Sequence, residues 1–252
     1  METIHSTVEQ GIALITLNRP EKRNAINLKM VEELTVLLDQ YRQDPEVKVL
    51  IFTGEGQVFI SGGDLSELIL AKGKEEAFPV LYKIGELLEN IDQYPKPTIA
   101  MINGTAIGGG CEFAGSCHFR FAVDTAMLGF VQIGMHIITG WGGGSRLFDK
   151  LNEANALSML LTGERISAEE AKRLGFLQEI FPAEQLEDSV MNFASKIASQ
   201  PIEGIEAYLR ILSWKREGVS REERIKREIE KCSTMWGSEQ HAAVVQRFLK
   251  KR

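Results

Sequence analysis

Cysteine is scarce in this 252-residue chain. Only Cys111, Cys117 and Cys232 are present. Their spacing fits no common zinc pattern, and no histidine pair completes one. The odd count points to a reducing compartment rather than a disulfide scaffold. No apolar run is long enough to span a bilayer, and the N-terminus lacks a basic-then-apolar signal region. The expected location is therefore the cytoplasm, with no membrane partner. A surplus of basic residues is missing too: 29 Lys and Arg face 35 Asp and Glu, for a net charge of −6. Nucleic-acid phosphates require a basic footprint, so no nucleic-acid partner is expected. Three motifs are also lacking: a GxGxxG opening a βαβ unit, a GxxxxGK[ST] phosphate loop and a GxSxG nucleophile elbow. These absences argue against dinucleotide binding, P-loop chemistry and serine hydrolysis.

What remains is ordinary soluble composition, 44% apolar and 25% charged. The length suits one large domain with a smaller appendage. Ile12 to Leu17 reads as a strand, and Asn18 to Asn24 as a polar loop. Asn27 can cap a helix on which Val31, Leu34, Leu37, Leu38 and Tyr41 recur at helical spacing. That helix ends at Asp44-Pro45. Val47 to Thr53 is the next strand, and Phe59-Ile60 runs into Ser61-Gly62-Gly63-Asp64-Leu65. Lys72 to Glu76 reads as a mobile excursion before a helix near Leu81 to Ile91. Thr98 to Ile102 and His118 to Val123 are further strands, with a helix starting near Cys111 between them. Strands and helices alternate to about Phe181, which specifies an α/β architecture. From about Ala183 the chain reads as helical. Its charged portion, Lys215 to Lys231, is either a solvated face or an arm toward a neighbouring subunit or a ligand phosphate.

Two glycine-rich segments carry the chemical signal. In Gly108-Gly109-Gly110-Cys111-Glu112, bare backbone stands at a predicted helix start, where free N–H groups and the positive dipole end face outward. Glu112 would sit in the first turn beside them. Ser61-Gly62-Gly63-Asp64 offers a second bare backbone at a strand end. Two such loops can supply two N–H donors to an oxygen that becomes negative, while a carboxylate moves a proton. A glycine turn capped by a dipole-compensating glutamate is the plainer alternative.

The ordered set of segments resembles the enoyl-CoA hydratase/isomerase, or crotonase, family. It comprises Ile15 to Ala25 around Asn18-Arg19-Pro20, Phe59 to Leu65, and Asn103-Gly104 to Glu112. Trp141-Gly142-Gly143-Gly144-Ser145-Arg146-Leu147 and Leu161-Thr162-Gly163-Glu164 complete it. The resemblance implies a spiral of ββα turns over residues 1–196. It further implies a C-terminal helical region, 197–252, used in a homotrimer or a dimer of trimers. The implied substrate is a coenzyme A thioester, with no metal and no cofactor beyond the coenzyme A of the substrate. By position, Gly63 and Gly109 match the two oxyanion donors and Glu112 the first catalytic glutamate. Lys22, Arg23, Ala25, Gly63, Asp64, Leu65 and Gly109 match the substrate and coenzyme A contacts.

The chain departs from the hydratase pattern at the second glutamate. Counting back from Arg146-Leu147, that position is Gln132, and Phe130 to Gly140 contains no acidic residue. A glutamine can orient water or a carbonyl but cannot exchange a proton near neutral pH. Three readings follow: hydration of an enoyl-CoA with Glu112 as the one acid/base, decarboxylation of a malonyl-type thioester, or acyl-CoA or RNA binding without chemistry. Double-bond isomerisation, which leans on the missing carboxylate, is disfavoured. His118 is expected to be a satisfied structural histidine and Trp141 a packing residue. His136, in the divergent loop, is a candidate to face substrate. Cys111 lacks a base and is expected to pack.

Overall fold

The computed structural model describes residues 1–68 and 70–250. It forms two compact units, Met1–Gln200 and the segment from Pro201 onward. Lys251 and Arg252, the end of the expected C-terminal region, lie outside the described residues.

The first unit opens with β1 (Ile4–Glu9) and β2 (Ile12–Leu17), then α1 (Leu28–Gln43). Three strand pairs follow: β3 (Val49–Gly54) with β4 (Val58–Ile60), β5 (Thr98–Ile102) with β6 (Thr105–Ile107), and β7 (Phe119–Val123) with β8 (Met127–Gly129). After the first pair come α2 (Leu65–Leu68) and α3 (Gly73–Asp92); after the second comes α4 (Gly109–Ser116). After the third come a 3-10 turn, Val131–Met135, then α5 (Gly143–Lys150) and α6 (Glu153–Thr162). The unit closes with β9 (Ile166–Ser167), α7 (Ala168–Arg173), β10 (Glu179–Phe181) and α8 (Ala183–Ala198).

Each pair splits between two sheets. The leading strands β3, β5 and β7 lie in a six-stranded sheet ordered β1-β2-β3-β5-β7-β10. The following strands β4, β6 and β8 lie in a four-stranded sheet closed by β9. All pairings between successive turns are parallel, so the chain winds forward by one ββα turn at a time. Parallel strands covered on both faces read as continuous apolar runs. Val49–Gly54 and Thr98–Ile102 are buried throughout for that reason.

The sequence-based expectation omits β1. Its residues are exposed except for Ile4, because it is an edge strand folded back on β2 in antiparallel register. One buried position leaves no alternation to read. The expected mobile excursion at Lys72 to Glu76 is corrected: Gly73 to Glu76 form the first turn of α3. The Glu76 carboxylate accepts the Lys72 N–H at 2.7 Å, and Glu75 and Glu76 complement the helix dipole. The helix continues through Pro79. The Asn27 cap is present, its Oδ1 accepting from Met30 N at 2.9 Å.

α4 is the hub of the core. All of its residues are buried, and Phe113 meets Phe52 and Phe59 edge to face at 5.3 and 6.1 Å. A fully buried phenylalanine contributes about 1.5–3 kcal/mol. This packing fixes the axis of α4, and with it the direction of its N-terminal N–H groups.

The second unit comprises α9 (Ile202–Arg216), α10 (Arg221–Trp236) and α11 (Glu239–Lys250). Ser220 caps α10 by accepting from Glu223 N. Arg210 and Arg227 lie over the Trp214 ring at 5.6 and 5.2 Å. α10 and α11 contain no buried residue, although Ile229, Trp236, Val244 and Leu249 lie on them.

Candidate active site

The geometry begins at Gly108. Its φ of +56° with ψ of −114° is a backbone that side chains rarely adopt, and it turns β6 directly into α4. The first N–H groups of a helix have no intrahelical partner. The N–H of Gly109 is one of these, and Glu112 follows within the same turn.

Gly63 is set by a different device. Ile26 N donates to Gly62 O at 2.9 Å, and Asp64 N donates to Ile26 O at 2.7 Å. In this parallel bridge the residue between the bonded neighbours turns its own N–H to the opposite side. The Gly63 N–H therefore faces away from the 24–27 loop. One indole brings the two glycines together. A Cβ built on Gly63 would lie 3.1 Å from Trp141 Cζ2, and one on Gly109 only 2.0 Å from Trp141 Cζ3. Trp141 is buried against both, so the packing expectation for its side chain agrees with the structure.

A methyl group at Gly109 has no space. Gly109→Ala is expected to cost about 1–3 kcal/mol through overpacking and to lower the melting temperature by ~2–4 °C for each of those kilocalories. Gly134→Ala, where a Cβ meets nothing within 4 Å, is the matched control and should melt within a degree or so of wild type. Equal melting of the two variants, measured by differential scanning calorimetry, would show that the indole yields freely.

Glu112 is 2% exposed and fully engaged. Its Oε1 accepts from Gln132 Nε2 at 2.8 Å. Its Oε2 accepts from Trp141 N at 2.9 Å and Gly143 N at 2.8 Å. Burial pushes the carboxyl above its ordinary range; the N–H groups of Gly143 and Trp141 and the Gln132 amide oppose that shift without cancelling it. A carboxyl raised in this way can hold and release a proton nearer neutrality.

The backbone contacts from Trp141 and Gly143 escape the sequence reading, which weighs Trp141 only as a side chain. The available signal was a second glycine-rich helix start, Gly142-Gly143-Gly144, with Gly142 at φ +86°. Arg146 anchors this loop, donating to Trp141 O at 2.7 Å and to Glu89 Oε2 at 2.8 Å.

Gln132 does lie against Glu112. Its Oε1 is buried and has no hydrogen-bond partner among the described residues. His136 ends the 3-10 turn, exposed, at φ +57°. His118 accepts from Thr98 N, at the start of β5, at 3.1 Å, as a structural histidine should. The Cys111 thiol donates to Ala106 O and is pushed up to about 12 by burial, which leaves it inert. Lys22 and Arg23 are exposed, Ala25 is buried, and Leu65 is exposed. The Asp64 side chain is buried, with Arg19 and Ser66 on its oxygens. Its backbone is engaged as well, the N–H on Ile26 O and the carbonyl on Glu67 N and Leu68 N, so Asp64 shapes this corner without a free group to offer a ligand.

Comparison with known proteins places these features in company. A family model described as enoyl-CoA hydratase/isomerase matches residues 7–252. A probable enoyl-CoA hydratase of Bacillus subtilis is 34% identical over 254 residues, covering 100% of this chain and 97% of that one. A short-chain-enoyl-CoA hydratase of Clostridium acetobutylicum is 33% identical, over 76% of this chain and 73% of its own. The crystal structure of an enoyl-CoA hydratase from Bacillus anthracis superposes with a TM-score of 0.92 at 31% identity, covering 99% and 97% of the two chains.

Proposed function

The chain belongs to the enoyl-CoA hydratase/isomerase family, and from that premise we propose that it is a hydro-lyase that adds water to a 2-enoyl-CoA. The observation that carries this reading is the placement of the Glu112 carboxylate. It lies in the first turn of α4, three residues past the Gly109 N–H, and is held by the same Trp141 whose ring spans Gly63 and Gly109.

In this reading the N–H groups of Gly63 and Gly109 hold the thioester oxygen. Glu112 takes a proton from water as the water oxygen bonds to Cβ. The electron pair of the double bond moves onto the carbonyl oxygen, and the two N–H groups stabilise that enolate. Glu112 then returns the proton to Cα. With Gln132 in place of a second carboxylate, one group performs both transfers, while Gln132 orients it. The exposed Lys22-Arg23 loop supplies cationic contacts for coenzyme A. No metal or further cofactor enters, and the reaction belongs to the cytoplasm. The exposed apolar residues of α10 and α11 support a homotrimer, or a dimer of trimers, built through residues 197–252.

One observation favours a second reading. Three donors converge on the Glu112 oxygens, and Phe130 to Gly140 brings no second carboxylate. Decarboxylation of a malonyl-type thioester needs the two N–H donors for its enolate but no strong base. A panel of short enoyl-CoA and malonyl-type thioesters separates the two. Loss of enoyl absorbance with no CO2 is expected; CO2 release with intact enoyl-CoA would replace hydration by decarboxylation. Tight binding with no turnover across the panel would instead leave a binding protein.

A further inference from the structure

Lys22, Arg23 and Ala25 lie in one loop and Gly63 in another, yet the two loops are fastened together at several points. Arg19 is the centre of the fastening. Its Nη2 donates to Asp64 Oδ2 at 2.7 Å, its Nη1 donates to Ala25 O at 2.7 Å, and its N–H donates to Asn24 Oδ1 at 3.0 Å. The ion pair is shielded, with the two side chains 13% and 6% exposed. Asp64 passes the constraint on: its Oδ1 accepts from Ser66 Oγ at 2.5 Å and Ser66 N at 3.1 Å, fixing the start of α2. Backbone bonds complete the joint, including Ser61 N to Arg23 O at 3.1 Å and the pair that flanks Gly63, Ile26 N to Gly62 O and Asp64 N to Ile26 O. Arg23 and Asn24 both hold left-handed φ, at 51° and 53°. Such a backbone persists only where its surroundings over-determine it.

Resting on the function proposed above, we propose that Arg19 and Asp64 are positioning residues that couple occupation of the coenzyme A loop to the placement of the Gly63 N–H. A planar guanidinium can hold a carboxylate and a carbonyl at once; an ammonium is a point charge without that fork. Neither residue needs to touch the reacting atoms. Interactions at a remote part of a substrate then appear in kcat, because they fix the donor that stabilises the transition state.

The test compares a short 2-enoyl thioester of coenzyme A with the same acyl group on N-acetylcysteamine, which lacks the nucleotide. In wild type, kcat is expected to be higher for the full substrate. Arg19→Met should lower kcat for the coenzyme A thioester by about 10–100-fold, the scale of a slightly misplaced catalytic group, and change kcat for the truncated one less than about threefold. Arg19→Lys should recover part of the difference. Because a lone buried charge can unfold a joint, the double variant Arg19→Met/Asp64→Leu is measured beside it and should show the same loss of kcat on the coenzyme A thioester. Equal losses on both thioesters would reduce the pair to plain scaffolding. A raised KM with intact kcat would make it a simple binding contact. Either result overturns the coupling while leaving the enzyme reading in place. Wild type inactive on both thioesters would overturn the hydration reading and the coupling with it.

Discussion

Glu112→Gln is expected to reduce turnover of a short enoyl-CoA by about 10²–10⁴-fold, the usual weight of general acid/base help, while leaving the fold intact. The second half of that expectation rests on the donors around the carboxylate. In the variant, the amide oxygen can take the Trp141 and Gly143 N–H groups that now meet Oε2. The new NH2 then faces Gln132, whose amide can turn to present the Oε1 that is without a partner in wild type. The Gln132 amide then keeps one of its two polar atoms paired, as in wild type, with Nε2 instead of Oε1 left over. An alanine would instead strand two buried N–H groups at about 1–3 kcal/mol each, and a loss of activity could not be told from a loss of structure. The pH dependence adds a signature. The Glu112 carboxyl is raised by burial, so the ionised form needed as base is lost as pH falls through that raised value. Wild-type kcat/KM should fall on an acid limb lying above the ordinary carboxylate range, and the residual activity of the variant should lack that limb. Stability runs with the opposite sign. A raised carboxyl destabilises the folded state above its folded pKa, and this cost fades as pH falls toward the unfolded value. The neutral amide avoids it, so the variant should melt at or above wild type near neutral pH. Unchanged turnover would remove Glu112 from the mechanism.

The donors to Glu112 also mark what could be read in the sequence. The apolar runs Val49–Gly54 and Thr98–Ile102 were legible because parallel strands covered on both faces carry an unbroken apolar signature. The glycines at 108–110 mark a helix start because bare backbone turns where side chains cannot, although a plain capped glycine turn carries the same pattern. The Trp141 and Gly143 N–H contacts were not, because backbone direction is a property of the loop and not of the residue type. Arg19 and Asp64 stand 45 residues apart, and nothing in either local pattern announces the other. The first turns of α3 were hidden by composition: Lys72 to Glu76 is a polar stretch without apolar periodicity, and the Glu76 carboxylate that accepts the Lys72 N–H leaves no mark in the pattern. Periodicity reports which face is buried. It does not report which distant side chain completes a charge, and much of this site depends on such partners.

Gln132→Glu is expected to move the two candidate reactions in opposite directions. Gln132 Nε2 now donates to Glu112 Oε1 at 2.8 Å. A glutamate in the same rotamer would bring two buried carboxyl groups to about that separation, and like charges so close do not both ionise. The pair would bind one proton and titrate in two macroscopic steps. Between those steps the site would hold one carboxylate and one carboxylic acid, which are the base for water and the acid for Cα. Hydration should then rise, by up to the ~10²-fold that one added acid/base partner can supply, and its pH profile should become bell-shaped. A malonyl-type substrate brings its own carboxylate toward this region, and above the second step the pair carries one more negative charge than wild type, so any decarboxylation should weaken there. The retained proton also fixes the sign of the stability effect. The unfolded chain releases it near pH 4.3 and the folded pair later, so the variant loses stability relative to wild type as pH rises through that interval and stays level above it. Initial rates on an enoyl-CoA and a malonyl-type thioester, with melting curves across the same pH range, check all three expectations. A variant no faster at hydration and no weaker at decarboxylation would mean that the reacting atoms lie beyond reach of residue 132, and that the single carboxylate of Glu112 is the whole proton-transfer apparatus of the site.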